Sequence, residues 1–397
     1  MRKLLQINVT ANWGSTGKIA EQIGQTAIAN GWKSYIAYSR YANDSYSKLI
    51  KIGGTLSIYW HVLIARLFDM AGLGSILTTI RLIKQIIAIE PDIVHLHNIH
   101  GYYINYKILF RYLNSTNIKV VWTFHDCWAF TGHCAHFVNA GCEKWKTGCF
   151  KCPLIKEYPK SLCFDRSLQN YQDKRKYFSS CNNLTVVPVS EWIGVYAKES
   201  FFRGKVYNTI HNGVDLDLFT PSKESHLDNS IFRILAVSSV WNEAKGLLDL
   251  FKLSEILPED YKITIVGLNE KQIKLLPKRI VGIRRTQDLQ ELVSLYSSAD
   301  VFVNPSYADT FPTVNLEALA CGTPVVTYNT GGSPEAITAE TGVVVPQGDI
   351  KALANAIVKM RYNPLSSSAC RKHAEQTFDK NKCFDKYMDL YDKLCEK

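Results

Sequence analysis

Short runs rich in Val, Ile, Phe and Thr recur along this chain, and most are followed by a stretch long enough for a helix. That alternation is the pattern of βα units, whose strands pair in parallel and bury both faces under helices. The spacing predicts strands at Lys3–Val9, Ser34–Ser39, Ile93–Leu96, Lys119–Thr123 and Thr185–Val189 in the first half. In the second half it predicts them at Arg233–Val237, Lys262–Val266, Asp300–Asn304, Pro324–Tyr328 and Gly342–Val345. Helices are expected at Lys18–Asn30, Glu191–Phe201, Gly246–Leu257, Leu289–Ser298, Val314–Ala320 and Ile350–Met360. Two such series in 397 residues predict an α/β protein of two parallel-sheet domains facing across a cleft. The domains are expected at 1–215 and 216–378, followed by a helix over 379–397 in which Phe384, Met388, Tyr391 and Leu394 recur at helical intervals. The stretch 211–230, with its Gly, Asp and Ser, is the best linker.

The pattern breaks between about 126 and 183, a segment rich in Cys, Trp, Lys and Pro that reads as an irregular insertion in the first domain. Two helices are expected between the second and third strands. Leu56, Tyr59, Trp60, Leu63 and Leu67 line one face of the first, and Ile76, Ile80, Ile83 and Ile87 one face of the second, so both faces are predicted to point into the core, with contact to a membrane as the alternative. No apolar run reaches the ~20 residues that span a bilayer, and the N-terminus lacks a signal-peptide pattern, so a cytoplasmic protein is expected. The net charge of +10 is uneven: residues 1–215 carry 25 Lys and Arg against 13 Asp and Glu. A basic half suits a phosphorylated substrate or an anionic membrane surface at the inner face of the plasma membrane. No basic run carries the interleaved aromatics of a nucleic-acid site, so no nucleic-acid partner is expected.

Chemistry concentrates in Asn304–Glu335, NPSYADTFPTVNLEALACGTPVVTYNTGGSPE. A strand ends, a loop carries Asp309, and a helix starts near Thr313 with Pro312 at a position favoured in first turns. The opening amides of that helix, at Thr313, Val314 and Asn315, are free to meet an anion such as a diphosphate. Glu317, one turn inside, and Asp309, in the loop, can accept hydrogen bonds from ribose and sugar hydroxyls. A second Gly-rich turn, NVTANWGSTGK at 8–18, follows the first strand and brings the backbone of Gly14, Ser15 and Gly17 within reach of phosphate or sugar; it has neither the Walker A nor the GxGxxG spacing.

These residues resemble the retaining glycosyltransferases of the GT-B-fold class called family 4, marked by two acids with seven residues between them. Asp309-Thr-Phe311 and Glu317-Ala-Leu-Ala-Cys-Gly322 match that signature, with Asp in place of the first Glu and Thr310 in place of a Gly. PDIVHLHN (91–98), FHDCW (124–128), PVSEW (188–192) and HNGVDLDLF (211–219) resemble further landmarks in order, and the whole is most similar to the colanic-acid-type enzymes of bacterial surface-polysaccharide assembly. The resemblance implies a GT-B architecture of two Rossmann-like domains, with the C-terminal helix returning to the first. It implies transfer of a hexose from a nucleotide-sugar donor, UDP-linked before GDP-linked, to a saccharide acceptor, lipid-diphosphate-linked in the preferred reading. It makes Lys245, in AKG at 244–246, a diphosphate-binding cation, and His125 a contact to the donor sugar, with Asp309 beside them; Phe311, Pro312, Thr313, Val314, Asn315 and Glu317 complete the donor site. His95 and His97 read as structural. The family's usual Arg falls at Val240, which leaves Arg284 or Arg285 to supply the missing charge. A nucleotide-sugar epimerase and a non-catalytic sugar-nucleotide-binding protein are the alternatives.

Cys134, Cys142, Cys149 and Cys152 fall within one irregular stretch and close on a C-x2-C pair. Four thiolates so placed suit a structural zinc ion. His133 and His136 are alternative ligands, and reduced thiols or an iron–sulfur cluster remain open. No catalytic cofactor is expected.

Overall fold

The computed structural model describes residues 1–222 and 230–396; part of the expected linker, 223–229, lies outside them. The chain divides into two units, one of Met1–His211 together with Phe384 onward, the other of Asn212–Cys383.

The first unit runs β1 (Lys3–Ile7), α1 (Gly14–Ala29), β2 (Lys33–Tyr38), β3 (Lys48–Lys51), α2 (Thr55–Phe68), α3 (Ile76–Ile89), β4 (Ile93–Leu96), α4 (Tyr106–Asn114), β5 (Lys119–Phe124), α5 (Ser167–Ser179), β6 (Leu184–Pro188) and α6 (Glu191–Glu199). Its six strands lie parallel in the order β3-β2-β1-β4-β5-β6. Leu4, Leu5, Ile7, Ile93, Val94 and Leu96 are fully buried, as expected of central parallel strands covered on both faces. The expected irregular insertion contains α5, whose polar sequence hides its helical period. α5 is held by Lys174: its Nζ donates to the carbonyls of Trp128 (2.7 Å) and Thr131 (3.1 Å) and sits 3.5 Å from the centre of the Trp128 ring.

The second unit runs β7 (Phe232–Val237), α7 (Leu247–Ile256), β8 (Tyr261–Val266), α8 (Glu270–Lys274), β9 (Ile280–Ile283), α9 (Leu289–Ser297), β10 (Val301–Asn304), α10 (Thr313–Ala320), β11 (Val325–Tyr328), β12 (Gly342–Val345), α11 (Ile350–Tyr362) and α12 (Ser367–Thr377). Its parallel sheet has the order β12-β11-β10-β7-β8-β9, the same topology as the first. Helix α13 (Lys380–Cys395) begins in this unit, and from Phe384 onward it belongs to the first. There its Tyr391 and Tyr387 hydroxyls bond His95 Nδ1 (2.6 Å) and Thr123 Oγ1 (2.7 Å).

Helices α2 and α3 form as predicted but turn the other way. Leu56 is 86% exposed, Tyr59 67%, Trp60 62% and Leu63 47%; Ile76, Ile80 and Ile87 are exposed too. The buried residues of α2 are His61 and Ala65. The reason lies in the polar groups. His61 Nε2 accepts from the amides of Gly72 (3.0 Å) and Gly74 (3.1 Å), and its Nδ1 meets Ser75 Oγ at 2.9 Å. Ser57 and Thr78 hydroxyls meet at 2.9 Å between the two helices. A side chain at Gly74 would press on the His61 ring, so the inward space suits a ring and small residues rather than the Leu and Trp stripe.

Candidate active site

In the second unit the strand order reverses between β7 and β10, and the loops leaving their carboxyl ends flank the place where open α/β sheets bind ligands. After β7, Asn242 caps a short 3-10 turn, Glu243–Lys245, by accepting from the Lys245 amide at 3.0 Å. Gly246 follows in the left-handed region (φ 72°), and a Cβ there would overlap the carbonyl of Pro305. The Tyr307 amide donates to the Ala244 carbonyl at 2.8 Å. The two loops are therefore knitted backbone to backbone, and Lys245 Nζ meets Asp309 Oδ2 at 2.5 Å.

The far side of the Asp309 loop is gripped as tightly. Gly331 (φ 56°) lies against the Asp309 carbonyl, leaving no room for a side chain, and the Gly332 amide donates to Thr310 O at 3.1 Å. Tyr307 and Tyr328 both donate to Asp249 Oδ2, at 2.6 and 2.8 Å, anchoring the loop to α7. Sequence reasoning missed this anchor, because three residues so far apart in the chain share no spacing rule.

Pro312 proves to be the N-cap of α10 rather than its first helical residue. The Asn315 amide, expected to be free, donates back to Pro312 O at 3.2 Å. The opening donors left to α10 are those of Thr313 and Val314, both half-buried. The Asn315 side chain is buried and accepts from Asn304 Nδ2 at 2.9 Å. The Phe311 ring is buried, its centre 5.9 Å from that of Phe378. Both side chains thus turn inward beside the start of α10. Glu317, one turn inside the helix, is half-buried, and its Oε2 accepts from the Tyr296 hydroxyl at 2.9 Å. Three buried polar atoms near this loop have no hydrogen-bond partner: Thr310 Oγ1, Asn315 Nδ2 and Ser333 Oγ. Val240 is exposed, and Arg284, one expected substitute, pairs with Glu270 at 2.9 Å on the surface.

In the first unit, α1 begins at Gly14, four residues before the expected start, with no side-chain cap. Gly14 (φ 64°) and Ser15 are exposed, and Gly17 packs where a Cβ would press on Thr10 Oγ1. His125 ends a hydrogen-bonded chain. Gln6 Nε2 donates to the Ala20 carbonyl (2.7 Å), so its Oε1 faces His97 Nε2 (3.0 Å), and His97 Nδ1 meets His125 Nε2 (3.0 Å). Carbonyl Oε1 can only accept, so the His97 proton sits on Nε2 and its Nδ1 accepts from His125 Nε2. His125 then presents Nδ1 as an acceptor. Burial lowers the pKa of both rings, that of His125 to about 4, so both are neutral near pH 7. His95, as expected, is structural; His97 orients His125.

The four cysteines form no disulfide and, with His133, line one small cavity. The Gly132 amide donates to Cys149 Sγ at 3.1 Å, and His133 Nδ1 bonds buried Asp69 Oδ1 at 2.5 Å, leaving its Nε2 without a partner. Cys134, Cys142, Cys149 and Cys152 thus line one cavity, yet among the described residues no three His, Cys, Asp or Glu side chains are arranged to hold a metal ion. His136 does not line that cavity.

Residues 17–218 match the family model Glycosyltransferase Family 4, and 231–363 match Glycosyl transferases group 1. WcaC of Escherichia coli (strain K12), a glycosyl transferase named for colanic acid biosynthesis, is 25% identical over 371 residues, covering 88% of this chain and 89% of its own. A D-inositol 3-phosphate glycosyltransferase of Saccharomonospora viridis is 39% identical over 107 residues, 26% of this chain and 25% of its own. Sucrose-phosphate synthase from Thermosynechococcus elongatus superposes with a TM-score of 0.74 at 18% identity, covering 99% of each chain. HepE of Anabaena, solved in complex with UDP and glucose, superposes with a TM-score of 0.68 at 14% identity, covering 98% of this chain and 99% of its own. Matched along most of its length and carrying two parallel sheets of one topology, the chain belongs to the family 4, group 1 glycosyltransferases of GT-B fold.

Proposed function

We propose that this glycosyltransferase moves a hexose, with retention of anomeric configuration, from a UDP-sugar to a lipid-linked saccharide during assembly of a bacterial surface polysaccharide, at the cytoplasmic face of the membrane. The observation that carries the donor half is the Lys245–Asp309 pair at the β7/β10 switch point, beside the start of α10. A diphosphate seated on the Thr313 and Val314 amides would compete with Asp309 for Lys245. The ammonium would then balance the charge that grows on the leaving group, which is the main task of a site with no catalytic metal. Asp309, released, accepts from a sugar hydroxyl, and Glu317, held by Tyr296, from the ribose. His125 Nδ1 offers one further acceptor to the sugar. Arg285, exposed, is the remaining candidate for the charge absent at Val240.

Incubating the protein with a panel of UDP- and GDP-sugars and a lipid-diphosphate saccharide, with product anomers read by NMR, tests this. Transfer from a UDP-hexose with retained configuration is expected. An epimerised sugar nucleotide without transfer would replace the reading by that of an epimerase, and binding without turnover by that of a binding protein. We further propose that the cysteine-lined cavity takes up one structural zinc ion as its thiolates draw inward, supported by the four cysteines that line it and the unpartnered His133 Nε2. Elemental analysis finding no zinc in protein purified without chelator removes that proposal.

A further inference from the structure

The neighbouring helix α3 exposes apolar side chains as well: Ile76, Leu77, Ile80 and Ile87 all face water, Leu77 by 70%. At the end of α2, Phe68 stacks on Phe164 (5.6 Å), and these two rings, both exposed, line a groove together with Met70, Asp165, Arg166, Leu168 and Gln169. Monomeric proteins rarely leave so many large apolar side chains of two neighbouring helices to water. The helices cannot roll to hide it, because His61, Ser57 and Thr78 fix their inward faces with hydrogen bonds.

The charges around this face select its occupant. From Lys51 to Ile89 the one acidic residue is Asp69, which is buried, while Lys51, Arg66, Arg81 and Lys84 are exposed. An apolar strip bearing Trp and Tyr, with four exposed cations against the exposed carboxylates of Glu90 at the end of α3 and Asp165 in the groove, has the composition of a helix that lies in a bilayer interface, its rings at headgroup level. A second copy of the chain would bring the same cations against themselves. No described helix is long and apolar enough to cross a membrane, and an interfacial face needs none. We propose that the exposed faces of α2 and α3 form a docking surface for an anionic lipid bilayer, with Leu56, Trp60, Leu63 and Leu77 entering the headgroup–acyl boundary and Arg66, Arg81 and Lys84 meeting lipid phosphates. This deepens the membrane-side part of the proposed function, but its test needs neither donor nor acceptor.

The full chain is cosedimented with vesicles of phosphatidylcholine alone and of equimolar phosphatidylglycerol and phosphatidylcholine. Binding to the anionic vesicles is expected, weakened roughly tenfold on neutral ones or at high salt. L56Q/W60Q/L63Q, whose sites are exposed and whose melting temperature should match that of the parent, is expected to lose about tenfold or more. R81Q/K84Q is expected to lose binding to anionic vesicles and change little on neutral ones. Failure of the parent to bind either vesicle, or undiminished binding by the triple variant, overturns the proposal. So does a parent that sediments as a dimer and a triple variant that sediments as a monomer, which would make the face a self-association surface.

Discussion

At the scale of single residues, the donor loop is held by contacts that leave almost no latitude. Gly331 shows how little. Alanine there must adopt φ 56° and push its Cβ into the Asp309 carbonyl, whereas at Gly14, with a similar φ of 64°, the Cβ meets open space. Gly14→Ala should cost about 1 kcal/mol, the left-handed penalty alone; Gly331→Ala should cost clearly more and displace Asp309. Urea midpoints of the two variants compare them directly, and equal losses would show that the loop yields. Lys245→Ala should lower transfer roughly 100- to 1,000-fold, the usual loss when one preorganised charge-stabilising donor is removed, with its melting curve unchanged because the pair is partly exposed. Near-normal turnover would remove Lys245 from the mechanism. His125 supports a prediction in pH. With its pKa lowered to about 4 it stays an acceptor down to that range, so kcat/KM should hold from pH 8 to 6 and fall only as the ring protonates near pH 4. A loss centred near 6.5, the ordinary histidine value, would contradict the orientation derived from Gln6 and His97.

At the scale of elements, what could be read in advance follows from burial. The central strands carry solid apolar runs because both faces are covered, and each was legible. Of the four edge strands, β6 and β12 were legible, but β3 (KLIK) and β9 (IVGI) were not: each is four residues long and mostly outside the buried core, so no solid apolar run marks it. Helices α5 and α12 are mostly polar, so their period does not stand out. In the candidate site, the placement of Asp309 in the loop before α10 and of Glu317 inside the helix was legible from spacing. The burial of Phe311 and Asn315 was not, since spacing near a helix start does not say which side chain turns inward. Helix α2 is the instructive failure. Its apolar stripe is legible, but the core is the preferred reading of it over a membrane contact, because spacing does not show that His61 supplies the inward bonds through Gly72, Gly74 and Ser75. His61 also predicts how stability depends on pH. Burial first, with the charge of Arg40 adding to it, lowers its pKa to about 4. The folded ring is then unprotonated between pH 4 and 6.5 while the unfolded one gains a proton, so stability is lost as pH falls through that window, by about 1.4 kcal/mol per pH unit for one such group. Protonating Nε2 would set a proton against two amide donors. Urea unfolding of the parent and of His61→Gln at pH 7.5 and 5 should show a shallower loss in the variant; an identical loss would mean that His95 and His97 carry the effect.

At the scale of the whole molecule, two units share one topology, but the first draws its last helix from the far end of the chain. Between Phe384 and Tyr391, five side chains are buried: Phe384, Tyr387, Met388, Leu390 and Tyr391. At about 1.5–3 kcal/mol each, such burial contributes roughly 8–15 kcal/mol as an upper estimate, as large as the entire stability of an ordinary domain. Removing them also strips His95 Nδ1 and Thr123 Oγ1 of the Tyr391 and Tyr387 hydroxyls, leaving polar groups in the core without partners. A chain ending at Cys383 should therefore lose the first unit and keep the second, whose core residues, Ile263, Val301, Val303 and Leu353 among them, all lie before that point. Hydrogen exchange on the truncated chain should show protection vanishing from β1, β4 and β5 and surviving in β7, β8 and β10. Tyr387→Phe/Tyr391→Phe in the full chain keeps the rings and removes only the hydroxyls, so it should lower the stability of the first unit without unfolding it. If the truncated chain kept a protected β1, the first sheet would be stable on its own contacts, and the returning helix would serve some purpose other than completing that core.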